Sequence, residues 1–192
     1  MDPERADAYA EAKQAARDAV AERLLDLTDA RLAEEGPAGL SMRRLANAAG
    51  CSTMVFYTAF GTKGGLLDAL AAREAARWAD EALTLADPDP VAWLDATGRA
   101  LLALGASRPH HRELVLGPGA IETLADAVRA AVRRAWPDPA PGGDEVAAAV
   151  WSAWRGALVV SDPGEAALVH GGVVRLWSAA VADAQRRGGV VG

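Results

Sequence analysis

Between Leu40 and Leu67 the chain reads LSMRRLANAAGCSTMVFYTAFGTKGGLL, and this stretch carries three helix-capping residues and a turn glycine in close succession. Gly36, Pro37 and Gly39 stop whatever helix precedes it, because glycine tolerates left-handed geometry and proline cannot continue a helix. Ser41 is then an N-cap for a helix through Met42, Leu45, Ala46 and Ala49, whose apolar positions recur three and four apart on one buried face. Gly50 supplies a sharp turn, and Ser52 caps a second short helix with Val55 and Phe56 able to face inward. Thr62 caps a third, long helix with Leu66, Leu67 and Leu70 on its apolar side. The pattern is that of a helix-turn-helix.

The remainder is punctuated in the same way, and alanine-rich segments with helical spacing predict an all-α fold. A long helix from Pro3 to Glu35 precedes the motif, with Val20, Leu24, Leu27 and Leu32 as its packing face. After the helix from Thr62 to Ala86, Asp89-Pro90 opens another from Val91 to Ala106. A short helix from Ser107 to Leu116 ends at Gly117-Pro118-Gly119, and the next runs from Ala120 to Trp136. The loop PDPAPGGD leads to helices from Glu145 to Val160 and from Gly164 to Arg187, separated by Ser161-Asp162-Pro163. About nine helices are expected, as a three-helix N-terminal domain over residues 1–61 and a larger helical domain over 62–192.

The segments SMRRLANAAGCS and FYTAFGTKGGLL resemble the DNA-binding domain of TetR-family (tetracycline-repressor-type) transcriptional regulators. Tyr57, Phe60, Gly61, Lys63 and the leucines that follow carry the resemblance. It is specific over the first third of the chain. Beyond that it rests on helix count, length and the element Trp151 to Gly156, which is similar to the Trp-His-Gly signature of one C-terminal subgroup, with Arg155 in place of histidine. The resemblance implies that Thr53 and Met54 occupy base-reading positions and that Tyr57 meets the backbone or a base edge. Arg43 would reach a phosphate or a guanine, and Ser41 and Lys63 suit phosphate at helix N-termini. Arg44, Ser52 and Thr58 complete the expected DNA-binding set. Met54 offers only apolar contact, so the reading helix is short of bidentate base readers. Gly64 and Gly65 stand where the family often has acidic residues, and the pair is expected to weaken the start of the connecting helix.

The resemblance further implies a homodimer built on the last two helices, with Val150, Trp154, Leu158, Val169, Val173 and Leu176 at the interface. A twofold dimer reads a palindromic operator in double-stranded DNA. An unknown, largely apolar small-molecule effector is the expected third partner, with Trp93, Trp151, Trp154 and His110 as pocket residues. His110 and Glu113 stand three apart, but two ligands do not make a zinc site, even with His170 as a distant third, so neither metal nor cofactor is expected.

Charge gives two messages. The chain carries a net −6, which is not the bulk signature of a nucleic-acid binder. From Ser41 to Trp78, however, Arg43, Arg44, Lys63, Arg73 and Arg77 outnumber Asp68 and Glu74, and attraction depends on the field at the docking face. No nucleophile–base pair or phosphate loop supports an enzyme, and no catalytic residue is assigned. MDPERADAYAEAK is charged from its second residue and the longest apolar run, broken by Arg155, is too short to span a bilayer. Cys51 stands alone and reads as an inert thiol in a reducing compartment, so a cytoplasmic location without membrane contact is expected. The function read from these residues is a ligand-responsive DNA-binding regulator, expected to repress. A nonspecific architectural DNA protein and a helical ligand-binding domain without DNA readout are the alternatives.

Overall fold

The first helix, α1, spans Pro3–Gly39 but is broken at Gly36, whose φ of 68° only glycine adopts without strain, just ahead of Pro37. The computed structural model describes residues 3–85, 87–137, 142–160 and 162–188. Among them all regular structure is helical: α2 (Met42–Ala49), α3 (Thr53–Phe60), α4 (Lys63–Leu83), α5 (Pro90–Ser107), α6 (Pro109–Val115), α7 (Ala120–Ala135), α8 (Gly143–Val159) and α9 (Pro163–Gly188) follow α1. No described helix is long and apolar enough to cross a membrane.

The expected caps act where the capping chemistry is sound. Ser41 Oγ accepts from Arg44 N–H, Asp89 Oδ1 from Val91 N–H, and Thr62 Oγ1 from Gly65 N–H. Ser52 occupies its cap position but makes no side-chain cap bond. Boundaries move by up to four residues, and the helix expected from Ser107 begins at Pro109, because proline is preset for the first helical turn. The expected helix end at Ala86, part of the loop around residues 138–141, and Ser161 lie outside the described residues.

Two compact units divide between Ala71 and Ala72, inside α4 rather than at its N-terminal cap. In the N-terminal unit α1, α2 and α3 pack on one another around Leu24, Leu45 and Phe56, all buried. Burying Phe56 contributes about 1.5–3 kcal/mol. Val20, expected on the packing face of α1, is exposed instead, while Leu24 and Leu32 are buried and Leu27 half-buried.

In the C-terminal unit α8 packs on α7 and α9, and α9 also lies along α5. Gly98 makes the α5–α9 approach possible: a Cβ there would overlap the His170 ring and stand 2.9 Å from Trp154 Cζ2. Trp136 and Trp177 meet edge to face at 5.4 Å, and Trp177 Nε1–H donates to Pro90 O at 2.9 Å. Buried Glu74 is held by Arg108 and Arg77, with Arg108 Nη1 3.0 Å and Arg77 Nη2 2.8 Å from its carboxylate. Such pairing is what a buried carboxylate requires, and it ties α4 to the start of α6.

Candidate nucleic-acid interface

The reading helix is set by backbone chemistry. Gly50 adopts φ 65°, and the following Cys51 N–H donates to Ala46 O at 3.0 Å, closing α2 and redirecting the chain into α3. Phe56 is the inward anchor of α3, with the Phe60 ring 6.4 Å away. Anchoring that face turns the opposite one outward. Met54 is 67% exposed and Tyr57 48%, Ser52 and Thr58 are exposed, and Thr53 is half-buried at the first turn.

The three nearby cations are not equivalent. Arg43 is exposed and has no hydrogen-bond or ion-pair partner among the described residues. Arg44 is engaged by Glu35 at 2.7 Å and by Gly39 O at 3.0 Å. Lys63, half-buried, donates to Pro37 O at 3.0 Å, which ties the start of α4 to the end of α1 and leaves two of its ammonium protons for another acceptor. Ser41 Oγ accepts its cap bond and retains its own O–H to donate. The structure therefore separates a free cation, Arg43, from two that also brace the domain.

Lys13 and Arg17 were missed by sequence reasoning. They line a groove of about 850 Å³ with Val20 of α1 and with Met54, Val55 and Thr58 of α3. The signal was present, since positions 13 and 17 lie one helical turn apart on one face, but nothing local says that this face meets α3.

The sensor residues expected from sequence fare differently. Trp93, Trp151 and Trp154 are core residues, and His110 is half-buried on α6. None of the four lines the cavity of about 370 Å³ in the C-terminal unit that is bordered by Asp95, Arg99, Arg112, Leu158, Val160 and His170. The large indoles are used to fill space between helices, and the cavity opens where alanines leave space. His170, considered as a distant metal ligand, has its Nε2 3.0 Å from Asp95 Oδ1. Arg99 donates from Nε and Nη2 to Asp95 Oδ2 at 3.0 and 2.8 Å.

The Arg99 hydrogen bonds, more than the opposing effect of burial, hold the Asp95 carboxyl below its ordinary 3.8, with His170 adding to the lowering. A carboxyl with a depressed folded value contributes stability above its unfolded value and loses it as pH falls through the folded one. The melting-temperature gap between the wild type and Asp95→Asn should therefore shrink as pH is taken below 3.8. A gap that widens in that range would contradict the ion-paired carboxylate.

The expected dimer residues divide. Val150, Trp154, Leu158 and Val173 are buried within a single chain, so they serve its core and are not free to meet a partner. Val169 is half-buried, and Leu176 is 75% exposed. Leu168, also 75% exposed, and exposed Val159 are apolar surface positions outside the expected interface set. The strongest apolar positions of an amphipathic helix go to its own core first.

Comparison with known proteins agrees with this geometry. Residues 24–70, from α1 to Leu70 in α4, match the family model described as bacterial regulatory proteins, tetR family. No curated protein matches the chain. Among solved structures, a TetR-family transcriptional regulator from Pectobacterium atrosepticum is 18% identical with a TM-score of 0.62, covering 88% of this chain and 96% of that one. A possible TetR family transcriptional regulator from Streptomyces coelicolor A3(2) is 26% identical with a TM-score of 0.52, covering 74% and 69%. AibR in complex with isovaleryl coenzyme A and operator DNA is 18% identical with a TM-score of 0.52, covering 82% and 97%. Residues 24–70 belong to the TetR family of bacterial regulatory proteins, and the chain built around them has that family's fold.

Proposed function

We propose that this chain is a homodimeric transcriptional repressor that binds a palindromic operator and is released by a small molecule held in its C-terminal unit. The outward face of α3, with Met54, Tyr57 and Thr58 exposed beside unpartnered Arg43, is the observation that carries the reading. Thr53 and Met54 would meet base edges, and Tyr57 and Thr58 the groove wall. Ser41, Ser52, Lys63 and Arg43 would meet phosphates. Lys13 and Arg17 outnumber Asp18 in the groove beside α3 and suit the flanking backbone. In this reading residues 1–61 hold the DNA reader and residues 62–192 the sensor and dimer surface. Exposed Leu168 and Leu176 on α9 offer apolar area for a twofold contact. AibR, a structure of the same fold, is seen with both operator DNA and isovaleryl coenzyme A, which supports two classes of partner.

Selection from random duplex DNA with the purified protein at two salt concentrations tests the reading. A palindromic consensus is expected. Binding without a consensus would favour an architectural DNA protein, and no binding would remove both. In the same assay Arg43→Ala should weaken binding and lower the salt slope by ~1, as loss of one phosphate contact does. Arg44→Ala should change the slope less, because Glu35 already neutralises that guanidinium. Equal slopes for the two variants would contradict the division between them.

A further inference from the structure

We infer that the cavity of the C-terminal unit is built for a small amphipathic monocarboxylate, with the Arg112 guanidinium as receptor for its anionic head. The inference rests on the reading of that cavity as the effector site and specifies its ligand.

The first ground is the walls. Leu102, Ala103, Ala106, Ala157, Leu158 and Ala166 face a space of about 370 Å³. That is near the lower end of the 300–1,000 Å³ typical of small-molecule sites. Apolar walls around so small a space suit an aliphatic tail.

The second ground is the charge. Asp95 is fully engaged, with one carboxylate oxygen facing Arg99 and the other His170 Nε2. That group of three leaves no anion to neutralise anything else in the cavity, and His170 is committed through its Nε2. Arg112 is different. It is half-buried, and its side chain has no hydrogen-bond or ion-pair partner among the described residues. Its stem passes over α5 where Gly105 has no side chain: a Cβ at Gly105 would stand 3.4 Å from Arg112 Cδ and 2.9 Å from Leu158 Cδ2. A guanidinium held against apolar walls without a counter-charge is incomplete, and its planar fork matches a carboxylate bidentately. A second negative charge on the ligand would face Asp95 with nothing left to balance it, so a monoanion fits better than a dianion. The expectation from sequence of a largely apolar effector becomes an apolar tail with one acidic head.

Calorimetric titration of the full chain with octanoate, 1-octanol and octylammonium tests this, since the three share a tail and differ in head charge. Octanoate should saturate one site per chain and bind roughly tenfold or more tightly than octanol, the difference a charge-assisted hydrogen bond makes. Arg112→Gln should abolish that preference, and Arg112→Lys, which keeps the charge but not the fork, should retain part of it. Helical circular dichroism and melting temperature establish that each variant is folded, and the lysine variant still reads the head-group preference if the glutamine one is not. Octanol binding as tightly as octanoate, octylammonium binding most tightly, an unchanged preference in Arg112→Gln, or no saturable octanoate binding would each overturn the inference. DNA selection without any of these compounds reports separately on the regulator reading: an operator found with no octanoate preference sinks the ligand class alone, and octanoate binding with no operator sinks the regulator alone.

Discussion

Trp154→Ala should lower the unfolding free energy by about 3–5 kcal/mol, the usual loss when a large buried aromatic is truncated. Trp154 is 0% exposed, stands on α8 against Gly98 of α5, and has the His170 ring of α9 at 6.4 Å. Both α5 and α9 thus lose a packing partner at once. The indole N–H has no acceptor among the described residues, so removing it gives back one unsatisfied donor and places the effect toward the lower part of that range. Trp154→Phe should cost less, since it keeps a ring in the same space. Urea unfolding with an unchanged denaturant slope is the measurement. A loss below ~1 kcal/mol accompanied by a change in oligomeric state would return Trp154 to the dimer interface, where the family resemblance had put it.

Gly65→Ala and Gly64→Ala should have opposite signs, although the two glycines are adjacent and looked alike in the sequence. A Cβ on Gly65 would overlap the Phe60 carbonyl oxygen, a backbone atom that already accepts from Thr62 N–H at 2.8 Å. The overlap can be relieved only by moving the turn between α3 and α4, which also carries the Thr62 cap on Gly65 N–H. A loss of about 1–3 kcal/mol is expected, as in other overpacked sites. DNA affinity should fall with it, because the C-terminal end of α3 is shifted. A Cβ on Gly64 would meet only Thr62 Oγ1 at 3.5 Å, an ordinary contact. There the helix preference of alanine, up to ~1 kcal/mol over glycine, should win and leave DNA affinity intact. Chemical denaturation and DNA titration of both single variants check the pair, and equal effects would refute the steric explanation. The expectation that both glycines loosen the connecting helix is therefore replaced by a division of roles: Gly65 is demanded by the turn, and Gly64 is not.

The helix-turn-helix was legible because each of its signals is local. Ser41, Gly50 and Thr62 act on backbone groups within a few residues of themselves, so their chemistry can be read in order along the chain. Phe56 was recognisable as an anchor for the same reason, since the helical period alone assigns it the face opposite Met54 and Thr58. Arg43 and Arg44, by contrast, are neighbours with the same chemistry, and only Glu35 nine residues upstream of Arg44 makes one of them a brace.

In the C-terminal unit the sequence alone determined how many helices form and where most of them begin, because capping and apolar period are properties of short segments. It also determined that Trp93, Trp151 and Trp154 lie on apolar faces, but not what those faces meet. The tertiary structure decided that they fill the core, that the cavity opens between alanines instead, and that Asp95 is consumed by Arg99 and by His170 from the far end of the chain. Arg112 could be identified as a free charge only once those pairings were made. Whether a charge is free depends on every residue that folding brings within reach, and no local pattern carries that information.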